Sequence, residues 1–213
     1  MNPSELRLAT FEDIPAIVAL IAASVNGLQA GDYSVEQRVG ALGSVFGVDR
    51  QLIRDGTYFV IERTVPATPT DHTIPADRAA TVWERSLSKP EFEPPVPKLV
   101  ACGGWSKRRT LFGSDNVEGK DDAFLDPTVD AARIRAFFVH PDYARRGLGS
   151  RLLDVGEEAA RADGFKRLEL GATLTGIPLY ERYGFRPLER REVPLPNGAT
   201  LTIVKMGKAL TSA

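Results

Sequence analysis

A single cysteine in 213 residues, Cys102, rules out an internal disulfide framework and suits a reducing compartment. The chain has only two histidines, His72 and His140, and their separation gives no metal-ligand cluster with that cysteine, so no metal is expected. No apolar run of transmembrane length stands out, and Met-Asn-Pro-Ser-Glu-Leu-Arg lacks the basic-then-apolar layout of a signal peptide. A cytoplasmic protein is therefore expected, with no membrane partner. Neither charge sign dominates. Lys and Arg total 27 against 28 acids, and a net charge of -1 removes the polyelectrolyte argument for nucleic acid. No Gly-x-x-x-x-Gly-Lys-Ser/Thr run occurs, which excludes a Walker loop.

What the chain does have is concentrated after residue 133. An apolar strand, Ile134 to Val139, leads into His140-Pro141-Asp142-Tyr143-Ala144-Arg145-Arg146-Gly147-Leu148-Gly149-Ser150. A helix pattern leads out, with Leu148, Leu152, Val155 and Ala159 at helical spacing. The first amides of a helix lack intrahelical partners and carry the positive end of its dipole. Two glycines let a diphosphate approach the backbone, and the neighbouring arginines add charge. The dinucleotide fingerprint fails, because Leu152 stands where its third glycine belongs.

Residues 144–149 resemble the acyl-coenzyme A loop of the GNAT acetyltransferase superfamily, matching its glycines at Gly147 and Gly149 and departing at Ala144. Two further segments in the right order carry the resemblance. Leu99 to Trp105 contains the pair Gly103-Gly104, and Gly176 to Phe185 resembles the closing helix, with Tyr180 at its tyrosine position. The resemblance is good over 99–187, extends through the first 62 residues, and is absent from 63–98.

The resemblance implies an α/β (α+β) GNAT-type fold, a central mixed, mostly antiparallel sheet flanked by helices, with two strands splayed at the cofactor site. It implies acetyl-coenzyme A held by the main chain of Phe137, Phe138 and Val139 and by Arg145, Arg146, Gly147, Leu148, Gly149 and Ser150, with Thr173 and Tyr183 nearby. Tyr180 is the implied general acid, with Tyr183 a competitor on nearly the same helical face. Glu169 reads either as a base acting through water or as half of a salt bridge. The implied activity is direct acetyl transfer to a primary amine of a small molecule. The alternatives are a protein lysine or N-terminal acetyltransferase and a noncatalytic acyl-coenzyme A sensor. Pairing through terminal strands would give a homodimer.

The remaining sequence reads as one domain over 1–213. Thr10 and Asp13 open a helix with a stripe of Ile14, Ile17, Val18 and Ile21. Ser34 and Gln37 open a second, with Val35, Val39, Leu42 and Phe46 in register and glycines that bend or break its end. Tyr33 and Phe46 are candidate acceptor contacts by resemblance. Leu6–Ala9 and Thr57–Glu62 read as strands. Residues 63–98 form a proline-rich insertion in which only Ala76 to Leu87 suits a helix. Residues 107–132 form an acidic loop that either steers a cationic amine or is simply solvated. Pro196-Asn197-Gly198 between β-rich segments predicts a closing hairpin.

Overall fold

The computed structural model describes residues 4–65, 96–117 and 119–210; most of the proline-rich insertion, with His72 and the helix expected at 76–87, and Glu118 of the acidic loop lie outside these. The strands are β1 (Glu5–Leu8), β2 (Tyr58–Val65), β3 (Val96–Ser106), β4 (Ala132–Val139), β5 (Arg167–Thr173), β6 (Arg186–Pro194) and β7 (Thr200–Ala209). The helices are α1 (Ile14–Leu28), α2 (Val35–Ala41), α3 (Arg50–Arg54), α4 (Leu148–Ala162) and α5 (Ile177–Arg182). The strands form one sheet in the order β1-β2-β3-β4-β5-β7-β6, antiparallel everywhere except between β4 and β5. This is the mixed, mostly antiparallel sheet expected from the sequence.

Two apolar layers sandwich it. On one side Ile17, Leu20, Ile21 and Val25 of α1 pack with Phe46, Tyr58, Phe138 and Leu201. On the other, Leu153 and Ala160 of α4 pack with Trp105, Ile134, Leu168 and Met206. Helical spacing alone set the phase of these stripes imperfectly. Val18 (53% exposed), Val35 (65%) and Val39 (61%) point outward, and α4 buries Leu148, Leu152, Leu153, Gly156 and Ala160. α2 buries Gly40 and Ala41 because the Asn197-Gly198 turn docks there, Asn197 Nδ2 donating to the Glu36 carbonyl at 2.8 Å. Around the helix opened by Thr10 and Asp13, Phe11–Leu28 has a mean hydropathy of 1.5 over 18 residues, long and apolar enough by composition alone to cross a membrane. Its apolar positions Ile17, Leu20, Ile21 and Val25 are buried in the sheet-facing core.

The glycine pair on β3 follows from close approach. A Cβ on Gly104 would lie 2.5 Å from the Thr57 carbonyl oxygen, a backbone atom fixed by the β2–β3 ladder. Gly104→Ala is expected to lower stability by about 1–3 kcal/mol through this overpacking. An unchanged urea midpoint would contradict it.

Candidate active site

β4 and β5 run side by side only from Ala132 to Ile134, paired with Leu168 to Leu170. Beyond that they diverge, β5 continuing along β7 and β4 along β3. The divergence coincides with a bulge. Arg135 pairs with Gly104 and Phe138 with Cys102, so Ala136 and Phe137 together face Gly103 alone. Gly103 is required there, since a Cβ would sit 2.7 Å from the Phe137 ring. Ala136 adopts a φ of 55°, a left-handed conformation that costs an L-residue roughly 1–2 kcal/mol. Strain of this kind is characteristic of positions held for function.

The gap opens into a cleft of about 650 Å³, its open mouth included. Ala136, Phe137 and Phe138 form one wall, Gly171 and Thr173 the facing one, with Phe46 and Phe112 from the helix side and Tyr180 across the gap. Tyr180 lies on α5 with its ring edge-on to Phe185, centroids 5.9 Å apart. It is 8% exposed, and its hydroxyl has no hydrogen-bond partner among the described residues. Burial holds the phenol well above its ordinary pKa. Tyr183 does not line the cleft; it packs, partly buried, against the apolar layer that holds Leu153 and Ala160 of α4.

Behind the bulge, Tyr58 donates to Cys102 Sγ at 3.2 Å. Burial pushes the Cys102 thiol up to about 12, so it is not poised as a nucleophile. The Val139 amide points at Ser24 Oγ, 3.3 Å away.

From the end of β4 the chain turns through a short 3-10 segment, Pro141–Tyr143. His140 serves that turn, its Nδ1 accepting from the Asp142 amide at 3.3 Å. Arg145 (φ 61°) and Gly147 (φ 79°) both adopt left-handed backbone before α4 begins. Gly147 is the N-cap and offers no side-chain hydrogen bond, so the first amides of α4 are open to a ligand. No atom of the described residues lies within 4 Å of where its Cβ would stand. Arg145 and Arg146 are exposed beside it. Leu148 is buried, and Gly149 packs against Leu179 of α5. The loop thus fits an anionic, phosphate-bearing group.

Glu169 lies on the cleft-facing side of β5, as strand alternation predicts, but not among the cleft residues. Its carboxylate is engaged by Arg133 and by Lys205, the latter at 3.0 Å. Tyr33 is a structural link outside the cleft, donating to the Thr202 carbonyl at 2.7 Å and accepting from the Leu174 amide at 2.9 Å. Two acids of the acidic loop are paired, Asp115 with Arg50 of α3 at 2.8 Å and Asp121 with Arg109 of the loop itself at 3.5 Å. Its apolar part does reach the site, where Leu111, Phe112 and Gly113 wall the cleft. Those residues, Gln29 and Arg135 were not identified from the sequence. Arg135 alone left a signal, a charge inside an otherwise apolar strand.

Residues 111–187 match the acetyltransferase (GNAT) domain family. Among solved structures, the chain is similar to a GCN5-related N-acetyltransferase from Rhodopseudomonas palustris, at 22% identity, a TM-score of 0.60, and 99% of this chain against 98% of that one. It is also similar to N-acetylglutamate synthase from Neisseria gonorrhoeae complexed with coenzyme A and N-acetyl-glutamate, at 19% identity and a TM-score of 0.53, over 100% of this chain and 36% of that one. A third, ribosomal-protein-alanine N-acetyltransferase from Brucella melitensis, has 19% identity and a TM-score of 0.51 over 97% of this chain and 99% of that one. No curated protein matches the sequence.

Proposed function

From the GNAT acetyltransferase fold of this chain, we propose that it transfers an acetyl group from acetyl-coenzyme A directly to a primary amine of a small molecule. The observation that carries this reading is the gap between β4 and β5, with a bulge on one wall and the unpartnered phenol of Tyr180 on the other. A structural likeness to enzymes acting on an amino acid and on a ribosomal protein leaves both acceptor classes in view. Enclosure of the cleft by Leu111, Phe112 and Gly113 favours the smaller acceptor.

In this reading the amides of Leu148, Gly149 and Ser150, with Arg145 and Arg146, hold the pyrophosphate. Main-chain groups of Phe137 and Val139 align the pantetheine arm, and Thr173 lies at the facing wall. The Phe138 main chain lies between Phe137 and Val139, and its ring packs edge-on to Phe46 with centroids 6.2 Å apart. Tyr183, just past α5, packs against the α4 side of the core beside the loop. When bound, acetyl-coenzyme A supplies an acetyl group activated as a thioester. An N–H freed by the bulge polarises the acyl oxygen, an effect worth roughly 10²–10³ in rate for a single well-placed donor. Tyr180 holds a proton opposite that wall and donates it as the thiolate departs. The amine nitrogen gives its proton to water on the open side, which restores Tyr180. No carboxylate lines the cleft among the described residues, and Glu169, engaged by two cations, has no part in this scheme.

The test is release of free thiol from acetyl-coenzyme A across a panel of amines, together with calorimetry of coenzyme A binding. Amine-dependent release is expected. Tight binding without release on any amine would instead identify an acyl-coenzyme A sensor, and release only with peptide acceptors would move the acceptor class to proteins.

A further inference from the structure

We infer that the acceptor half of the cleft is built for an amine that also carries a carboxylate, a free amino acid or a close analogue; this rests on the acetyl-transfer reading above. Arg135 is the only permanently charged side chain lining the cleft among the described residues. It stands on β4 immediately before the bulge, with its side chain 3% exposed. One arm of the guanidinium lies 2.7 Å from Asp49 Oδ2, another donates to the Gly113 carbonyl at 2.7 Å, and Nε has no hydrogen-bond partner among the described residues.

Asp49 does not neutralise it alone. That carboxylate is fully buried and is also 3.2 Å from Lys120 Nζ, so one negative charge serves two cations. Of the other nearby acids, Asp55 is clamped by Arg108 at 2.6 Å, and Asp122, exposed to water that screens it, acts on Arg135 only through space. A ligand in the cleft therefore meets a positive wall. It also meets an acceptor, for Gln29 is 6% exposed, lines the same cleft, and has no hydrogen-bond partner at Oε1 among the described residues.

A buried acceptor left unpaired costs about 1–3 kcal/mol. An amino acid relieves both groups at once, its amine N–H reaching Gln29 and its carboxylate the guanidinium, a pairing strengthened by charge. A second cation, such as a polyamine or a lysine side chain, would face Arg135 with no carboxylate lining to offset it. The guanidinium has a further consequence for the reaction. A positive neighbour lowers the pKa of an ammonium and so favours the neutral, nucleophilic amine. Phe46, Leu111 and Phe112 are left to contact the side chain.

The test compares each proteinogenic amino acid with its decarboxylated amine, by thiol release and by calorimetric binding. The wild type is expected to favour the carboxylate-bearing member of the best pair by at least ~100-fold in kcat/KM, the scale on which a site built around a polar contact rejects the analogue lacking it. Arg135→Met should bring that ratio to about one, and Arg135→Lys should restore part of it. Gln29→Leu, which removes an Oε1 without a hydrogen-bond partner among the described residues, should fold as the wild type does and raise the amino-acid KM about tenfold. Equal use of both members by the wild type, or a ratio that survives Arg135→Met, overturns the inference while leaving acetyl transfer standing. Absence of thiol release with every amine overturns acetyl transfer. In that case the binding arm still decides, since selective amino-acid binding lost in Arg135→Met supports the carboxylate site and its absence refutes it.

Discussion

Replacing Tyr180 with phenylalanine is expected to slow turnover by about 10²- to 10⁴-fold, the range for a positioned general acid, while leaving coenzyme A affinity and stability close to wild type. The two readouts separate because the hydroxyl has no hydrogen-bond partner among the described residues. The ring does the packing, edge-on to Phe185 and over Gly176, where a Cβ would approach it to 2.9 Å. Phenylalanine keeps those contacts and removes a buried polar atom, which is neutral or slightly favourable for folding. If the tyrosine were merely structural, activity would follow stability and neither would move. The pH profile is a second measure. Burial raises the phenol's pKa, so the active protonated form persists as pH climbs and is lost only above the ordinary phenol value near ~10. Wild-type kcat/KM should therefore rise with deprotonation of the amine and show no alkaline fall below pH ~10. A fall centred near pH 8, or a kcat for Tyr180→Phe within threefold of wild type, would remove Tyr180 from the mechanism.

What the sequence made legible is what local rules encode. Gly147 announces a left-handed residue before an amphipathic helix, and the helix begins at the next position with Gly147 at a φ of 79°. Alternation along β5 put Glu169 opposite Leu168 and Leu170, and the burial pattern agrees. The hairpin over Asn197-Gly198 joins β6 to β7, though residues 195–199 form the loop and only Gly198 takes a positive φ, 83°. The site's other half is non-local. Arg135 becomes a buried cleft residue only because Asp49, at the start of α3, and Gly113, in a loop, converge on it. Phe112 reaches the cleft because the same loop is pinned by Asp115 to Arg50 and by Lys120 to Asp49. No periodicity reports such a path. Ala136 is similar, since alanine carries no signal for a φ of 55° and the bulge is imposed by pairing with β3. Val18, Val35 and Val39 show the converse limit, where spacing identifies a helix without fixing which apolar residues face inward.

Gly147→Val is expected to weaken acetyl-coenzyme A binding by at least ~100-fold while the chain still folds. The cause is backbone, not collision, because the added Cβ would meet no atom of the described residues within 4 Å. At a φ of 79° an L-residue is strained by about 1–2 kcal/mol, and β-branching adds to that. The loop relieves the strain by rotating toward negative φ, and that rotation turns the amides of Leu148, Gly149 and Ser150 away from a common point. Hydrogen bonds to a charged group contribute roughly 1.5–3 kcal/mol each, so misdirecting two of them accounts for a ~100-fold loss or more. Stability should fall only by the residual strain, a few degrees in Tm for a chain of this size. The order of affinities identifies the mechanism. Asparagine tolerates the left-handed region better than alanine, and alanine better than valine, so binding should weaken in the order Gly, Asn, Ala, Val. If Arg145 and Arg146 held the pyrophosphate by charge alone, all three variants would bind as wild type does. Calorimetric titration with coenzyme A distinguishes the cases, and a flat series would remove the amide cradle from the proposed site.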